Sequence, residues 1–426
     1  MKKYLKRICD DLLRFKLSCS GAVLIEGPKW CGKTCMAEQQ AASVVRLQDT
    51  DKAEEYSLLL KTQPSRLLAG EQPRLIDEWQ DAPLLWNAVR LHVDQYGGFG
   101  HFILTGSSTP KELFPEGFKL HTGTGRIARL RLRPMTLWES GDSNGNVSLS
   151  RIFDGTDGIE GVSNMDLEKL AFLVCRGGWP VAVTTQNQMS SLQQAFEYVN
   201  AIVEGDIHRV DGVERNPSRT RLLLRSLARN ISTMATNQTL MDDIRSQDIS
   251  VTDKTLANYL NALERIFAVE DIPAWQPSLR SKTAIRQASK RQFVDPSIAT
   301  AALRAKPSAI LNDLKTFGFV FESLVARDLR VYSQPLDGEL LHYRDKSDLE
   351  VDLIIRLADG RWGAVEVKLG MGQVEEASAN LLAFKSKIDE QRVGAPSFLM
   401  VVTGIGTYAY RRNDGVLVVP VACLRD

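Results

Sequence analysis

The chain has 426 residues, 43% of them hydrophobic and 25% charged, and its formal net charge is +1 at pH 7. That length has room for roughly three domains, and the composition is that of an ordinary soluble globular protein. A charge this close to zero excludes an overall field that draws the chain to nucleic acid, so any such contact has to come from a local patch. No apolar run approaches the roughly 18 residues of a membrane span, so no membrane partner is expected and the cytoplasm is the expected compartment.

The opening MKKYLKRICDDLLRFKL is basic at its start, but Asp10, Asp11, Arg14 and Lys16 interrupt any signal-peptide core. Leu5, Ile8, Leu12 and Phe15 recur at helical spacing and predict an amphipathic helix lying on the first domain. The six cysteines (Cys9, Cys19, Cys31, Cys35, Cys175, Cys423) are scattered, and their spacing contains neither a disulfide framework nor a zinc site.

Next comes GAVLIEGPKWCGKT, from Gly21 to Thr34. The apolar run Ala22–Ile25 reads as a buried strand, and G-x-x-x-x-G-K-T follows it. The physical reading is a phosphate cradle. Gly27, Pro28, Lys29, Trp30, Cys31 and Gly32 form a loop whose backbone N–H groups turn inward on an anion. A helix starting near Lys33 adds the positive end of its dipole. Gly27 and Gly32 supply backbone freedom. Lys33 is expected to reach the β- and γ-phosphates, and the Thr34 hydroxyl to ligate Mg²⁺.

A helix over about Lys33–Ala42, a strand over Val44–Leu47 and a polar helical stretch to Leu68 lead to PRLIDEWQ. Here an apolar run ends in two acids. Asp77 is expected to hold Mg²⁺ through water, and Glu78 to polarise the attacking water as general base. A further strand, His101–Leu104, ends in Thr105, Gly106, Ser107 and Ser108. Thr105 is the candidate for orienting the lytic water and Ser107 the alternative; an ordinary strand cap is the competing reading. In GTGRIARLRLRPMTLWES, alternation over Ile127–Leu132 predicts a strand with one basic face. Arg126 and Arg129 on it are candidates for neutralising the transferring phosphoryl group, in cis or from a neighbouring subunit. A solvated basic face explains them equally well.

The order GPKWCGKT, LIDEWQ, FILTGSS, GRIARLRLRPMTLWE resembles the AAA-type ATPases common in bacteria and archaea that carry a nuclease-like C-terminal domain. The resemblance continues through CRGGWP (Cys175–Pro180) and EGDIHRV (Glu204–Val210). Lys29 stands where such proteins usually have Arg, and Cys35 where they have Thr; neither is a phosphate-binding position. The resemblance implies an α/β fold with a parallel P-loop sheet, a helical lid and ATP with Mg²⁺ as ligands. An arginine acting from a neighbour would imply a homo-oligomer.

Residues 141–165 are rich in Gly, Ser, Asn and Asp and predict a loop or flexible boundary. The pattern from Asp166 to about His208 is helical and, with Gly177–Pro180, matches the lid region of the resemblance. Asp242–Trp275 reads as a winged helix-turn-helix, with FAVEDIPAW as its wing. Its long helix carries only Lys254 and Arg265 against Asp253 and Glu264, a poor charge balance for reading DNA. A packing or partner-binding module is the favoured reading and DNA contact the alternative.

In the last third, TFGFVFESLVARDLRVYS predicts an amphipathic helix bearing Glu322. LEVDLIIRL, the turn Ala358-Asp359-Gly360 and RWGAVEVKLG follow. A three-residue turn pairs Leu357 with Arg361 and hence Asp352 with Glu366, and puts Lys368 on their face. Glu322, Asp352 and Glu366-x-Lys368 resemble the site of restriction-endonuclease-like domains, where carboxylates hold a divalent metal and the lysine orients or activates water. An ordinary charged hairpin and a chemically silent fold stay open.

The expected plan is an ATPase core over 1–140, a lid over 141–210, a winged helix over 211–290 and a nuclease-like mixed α/β domain over 291–426. Two functions stay open: a Mg²⁺-dependent ATPase whose C-terminal half engages DNA or a partner protein, and a slow nucleotide-dependent switch or scaffold. The base-reading N/T-K-x-D tetrapeptide of GTPases is absent from the sequence. The phosphate loop alone leaves a small-molecule kinase open, but LIDEWQ and the strand ending in Thr105 favour hydrolysis.

Overall fold

The computed structural model describes residues 4–108, 122–156, 159–276 and 288–426. They form two compact units. One comprises 1–133, 205–214 and 261–267, the other 134–204, 215–260 and 268–426. The stretches read from sequence as lid and winged helix thus fall largely in the same unit as the C-terminal third.

The first unit is built on five parallel strands, β1 (Ala22–Glu26), β2 (Ser43–Arg46), β3 (Arg74–Asp77), β4 (Phe102–Gly106) and β5 (Ile127–Arg131), in the order β2-β3-β4-β1-β5. Helices α1 (Cys9–Cys19), α2 (Lys33–Glu38), α3 (Ala53–Thr62) and α4 (Leu84–Tyr96) accompany them. The strands are covered on both faces, which is why they read as apolar runs rather than alternations. Ala22, Leu24, Ile76, Phe102 and Leu104 point to the side of Leu85, Trp86 and Val89 of α4. Val23, Ile25, Leu75, Ile103 and Leu130 point to Cys9, Leu13 and Leu17 of α1 and Met36 of α2.

The face that α1 buries differs from the expected one. Cys9, Leu13 and Leu17 are buried and Phe15 is 64% exposed. The helix starts only at Cys9, and a free cysteine there behaves as a small apolar residue. Truncating Leu13, which is fully buried, to Ala should cost about 2–5 kcal/mol.

The second unit holds a mixed seven-stranded sheet. Its strands are β7 (Gly161–Val162), β8 (Gly338–Arg344), β9 (Glu350–Leu357), β10 (Trp362–Lys368), β11 (Phe398–Thr403), β12 (Tyr408–Arg411) and β13 (Leu417–Pro420), in the order β7-β12-β13-β11-β10-β9-β8. A small parallel pair joins β6 (Val147–Ser148) to β14 (Leu424–Arg425). The polar stretch 141–165 is therefore not a free loop: backbone pairing ties it to the far end of the chain through β6 and β7, which its Gly- and Asn-rich composition concealed. The intervening helices are α5 (Leu149–Phe153), α6 (Leu167–Arg176), α7 (Pro180–Thr184), α8 (Gln188–Ala201), α9 (Ile207–Arg209, assigned to the first unit), α10 (Pro217–Arg229), α11 (Asn237–Arg245), α12 (Asp253–Arg265, assigned to the first unit from Asn261 on), α13 (Pro296–Ala302), α14 (Pro307–Asn312), α15 (Leu314–Ser333), α16 (Val374–Lys387) and α17 (Glu390–Val393).

The helix α15 is not amphipathic as expected: every residue from Val320 to Ser333 is buried. Its charged residues are satisfied internally. Arg327 lies 2.9 Å from Asp295 and 2.7 Å from Asp328, and the same oxygen of Asp295 takes the Gly178 N–H at 2.9 Å. The Trp179 indole donates to Ser297 at 2.9 Å. The CRGGWP segment is thus a structural anchor of this unit.

Beyond α12, FAVEDIPAW bridges antiparallel to 290–293 through Val269–Phe293 and Ile272–Lys290. Ala274 bridges in parallel to His342 of β8, so the ribbon joins the edge of the sheet.

Candidate functional site

At the C-terminal end of β1 the chain turns through the G-x-x-x-x-G-K-T loop. Gly27 is required by close approach, since a Cβ there would lie 2.0 Å from the Leu132 carbonyl oxygen. Gly32 and Trp30 both have positive φ, 97° and 65°, which turns the loop onto itself. Lys33 is buried, and its ammonium donates to the Gly27 and Pro28 carbonyl oxygens at 3.0 and 2.8 Å. Two supports went unseen in the sequence. Arg7 donates to the Cys31 carbonyl at 3.0 Å and to the Arg133 carbonyl at 2.7 Å. Lys29 pairs at 2.6 Å with Asp206, 177 positions away. Separations this long leave no local pattern to read.

Because β4 lies between β1 and β3, its end falls between the loop and the acidic pair. Thr34 and Thr105 both donate to Asp77 Oδ1, at 2.7 and 2.6 Å. The Glu78 N–H donates to Thr105 Oγ at 3.0 Å. Glu78 itself is held at φ 56°, ψ 53°, a left-handed conformation that costs a non-glycine residue about 1 kcal/mol or more. Its carboxylate takes hydrogen bonds from Ser107 at 3.0 Å and from Gln80. The two alternatives at this strand end therefore separate: Thr105 orients Asp77 and the Glu78 backbone, and Ser107 holds the Glu78 carboxylate. Gln80 belongs to the same network and was missed, because a glutamine after DEW carries no signal of its own.

The donor set fits a magnesium-bound nucleotide: a hydroxyl and a carboxylate meet beside a lysine and a glycine-bearing loop. Thr34, Asp77 and Lys33 would hold it.

Arg126 is not brought to this place. The Ala22 N–H donates to its carbonyl, so it lies level with the start of β1. One five-residue strand, roughly 15 Å, separates that level from the loop. Its guanidinium pairs with Asp94 of α4 at 2.6 Å. Arg129 and Arg131 lie nearer the loop and pair with Glu26 at 3.0 and 3.2 Å.

In the second unit, β9 and β10 pair Arg356 with Trp362 and Leu353 with Val365, and the same register sets Asp352 opposite Glu366. The turn closes with the Leu357 N–H on the Arg361 carbonyl and Gly360 at φ 93°. Both faces of β10 are covered, however, since Trp362 and Ala364 on the Glu366 face pack in a core with Leu381 and Phe384 of α16. Glu366 is accordingly buried; it takes a hydrogen bond from Asn380 at 2.8 Å and pairs with Lys368 at 2.7 Å. Asp352 takes the Val367 N–H at 2.9 Å and lies 3.8 Å from Lys368. Glu322 of α15 completes the group.

The residue at its centre is one the sequence reading did not single out. The buried Lys290 ammonium lies 2.9 Å from Glu322, 3.1 Å from Glu350 and 3.6 Å from Asp352. Burial pushes the Glu322 carboxyl up to about 8 despite Lys290, and it also pushes Glu366 up, reinforced by Asp352. Burial opposes ionisation of Asp352 too, but Lys290 and Lys368 hold it below the usual carboxylate range. Among the described residues no group of three or more His, Cys, Asp and Glu side chains is placed to hold a metal ion. The expected metal does not fit these carboxylates as they stand, because a lysine ammonium sits among them.

Comparison with known proteins agrees with the first unit's geometry. Residues 20–140 match the family described as "AAA domain", 167–309 the "Domain of unknown function (DUF8612)" and 317–424 the "Domain of unknown function (DUF4143)". The N-terminal segment is thus an AAA-type, P-loop ATPase-like domain, a class that binds nucleotide. Among solved structures, the Walker-type ATPase PABY2304 of Pyrococcus abyssi matches at 13% identity over 69% of this chain and 94% of its own, with a TM-score of 0.43. The signal transduction ATPase with numerous domains PH0952 of Pyrococcus horikoshii matches at 14% identity over 79% of this chain and 50% of its own, with a TM-score of 0.25. No curated protein matches the chain. No helix among the described residues is long and apolar enough to cross a membrane.

Proposed function

We propose that the first unit binds Mg²⁺-ATP and hydrolyses it. The observation that carries this reading is the convergence of Thr34 and Thr105 on one oxygen of Asp77, beside Lys33 and next to Glu78. Mg²⁺, when bound, neutralises phosphate charge. Lys33 turns from two loop carbonyls onto the β- and γ-phosphates. Thr105 fixes Asp77 and the Glu78 backbone, and Glu78 polarises the attacking water as general base. Glu78→Gln should keep ATP affinity and lower phosphate release about 10²–10⁴-fold; normal turnover in that variant would place the base elsewhere.

A second reading, a slow switch, is favoured by one observation: Ser107 and Gln80 occupy the Glu78 carboxylate. If that restraint limits the rate, Ser107→Ala raises turnover; if it aligns the base, turnover falls.

For the C-terminal half, the mixed sheet with Glu322, Asp352, Glu366 and Lys368 supports a restriction-endonuclease-like fold, and the α11–α12 pair with its ribbon supports a winged helix. We assign this half to a partner protein rather than to DNA. Of the two basic residues on α12, Arg265 is spent on the Val210 carbonyl at 3.0 Å and on Asp211. The ribbon, for its part, is tied to the sheet edge. A reducing, cytoplasmic setting agrees with six free cysteines. DNA retention at physiological salt, lost on Lys254→Ala, would overturn the partner assignment.

A further inference from the structure

Lys290 reaches the carboxylates by backbone design. The Ile272 N–H donates to the Lys290 carbonyl at 2.9 Å and the Lys290 N–H to the Ile272 carbonyl at 2.8 Å, fixing the residue in an antiparallel ribbon. From there the side chain, 1% exposed, enters the space between α15 and β9. Its ammonium meets Glu322 Oε1, Glu350 Oε1 and Asp352 Oδ1 at 2.9, 3.1 and 3.6 Å and the Asp352 backbone carbonyl at 3.3 Å. Four oxygens of three acidic residues thus surround one positive charge. A divalent ion needs oxygens at about 2.0–2.6 Å, and the ammonium already fills the point they share. Adding the ion would also set a double charge against a buried single one of the same sign, with no water to screen them.

Lys368 is in turn held by Glu366 at 2.7 Å. Burial disfavours its charge, yet Asp352 and Glu366 raise its pKa above that of an ordinary lysine, so it stays protonated and is unsuited to take a proton from water. Glu322, Asp352 and Lys368 do border a cleft of about 640 Å³, so access is available.

We propose that Lys290 is the resident cation of this cluster, standing where a restriction-endonuclease-like site would hold a divalent metal, and that the C-terminal fold is for this reason metal-independent and non-cleaving. This goes beyond the reading of that half as a partner-binding module and does not depend on ATP hydrolysis.

The test uses the full chain without nucleotide. Wild type should bind no Mn²⁺ that Asp352→Asn removes, as read by calorimetric titration and the Mn²⁺ electron-spin signal. Lys290→Met keeps the aliphatic stem but strands the carboxylates. Its unfolding midpoint should drop by about 10 °C, and it should gain Mn²⁺ binding that Asp352→Asn abolishes and that restores part of the lost stability. If Lys290→Met does not fold, Lys290→Met/Glu322→Gln also removes the buried Glu322 carboxyl that Lys290 faces and should show the same gain. Wild-type Mn²⁺ binding that depends on Asp352 would overturn the proposal. So would a folded Lys290 variant that gains none.

Discussion

The two charged sites of this protein use a buried lysine in opposite ways. In the phosphate loop the Lys33 ammonium rests on two neutral carbonyls, Gly27 and Pro28. In the C-terminal unit the Lys290 ammonium rests on three carboxylates. A cation satisfied by dipoles can exchange them for a stronger partner, and a phosphate is one. A cation already ringed by carboxylates has no better partner to move to. The first arrangement is ready for a ligand, whereas the second has its ligand built into the chain.

The largest effect that sharpens this contrast is at Lys33. Lys33→Ala should weaken binding of a fluorescent ATP analogue about 10–100-fold, the worth of a charge-assisted contact to phosphate, and should leave the unfolding midpoint of the C-terminal unit where it was. Unchanged nucleotide affinity would break the comparison at its first member. Lys290→Met should do the reverse, destabilising the fold while leaving nucleotide affinity intact.

Next in size is Thr105→Val, which keeps the branched shape but removes the hydroxyl shared by Asp77 and the Glu78 backbone. One net hydrogen bond, about 1 kcal/mol, corresponds to a roughly fivefold fall in turnover with little change in ATP affinity. Equal losses in both quantities would make Thr105 a binding residue instead.

A pH dependence follows from the second site. Glu322 is raised by burial in the folded state to about 8 from its ordinary value of 4.5. The folded protein therefore holds a proton that the unfolded chain gives up. This stabilisation is fully present below about pH 4.5 and is lost as pH rises through 8. Glu366, raised by burial to about 8, titrates in the same window in both proteins, and on the acid side burial lowers His342 to about 4 and raises Asp328 to about 6. Between pH 6.5 and 8 wild-type stability should fall relative to Glu322→Gln by up to about 1.4 kcal/mol per pH unit. Parallel denaturation curves for the two proteins would show that Glu322 is ionised throughout.

The smallest effect is expected at Arg126. Its pairing with Asp94 is half-exposed and worth at most about 1 kcal/mol, and its place at the far end of β1 removes it from the loop of its own chain. Arg126→Ala should change turnover less than about twofold. A large loss, recovered on mixing with Lys33→Ala protein, would mean that the arginine acts on a neighbour's nucleotide.

Where motif and strand are contiguous, the sequence was enough. Gly27, Lys33 and Thr34 lie within eight positions of one another, so their geometry follows from one strand, one turn and one helix start. The Asp352–Glu366 register is local too, because a three-residue turn with Gly360 in its left-handed position determines which residues oppose. The alternation of β1 and β4 side chains between two covered faces follows from the period of a strand.

What the tertiary structure alone decided are the partners brought in from far along the chain. Lys290 precedes Glu322 by 32 positions and Asp352 by 62, and beside Arg291 it reads as one more basic surface residue. Only the pairing of 290–293 with 269–272, and the packing of α15 against the sheet, turns it inward. Arg126 reads in the sequence as a plausible charge for a phosphate, and parallel pairing sets it level with the start of β1, away from the loop of its own chain. The physical reason is the same in both cases. Local conformation depends on a few neighbouring residues, but the sign and distance of a buried charge's partner depend on which surfaces the whole fold presses together.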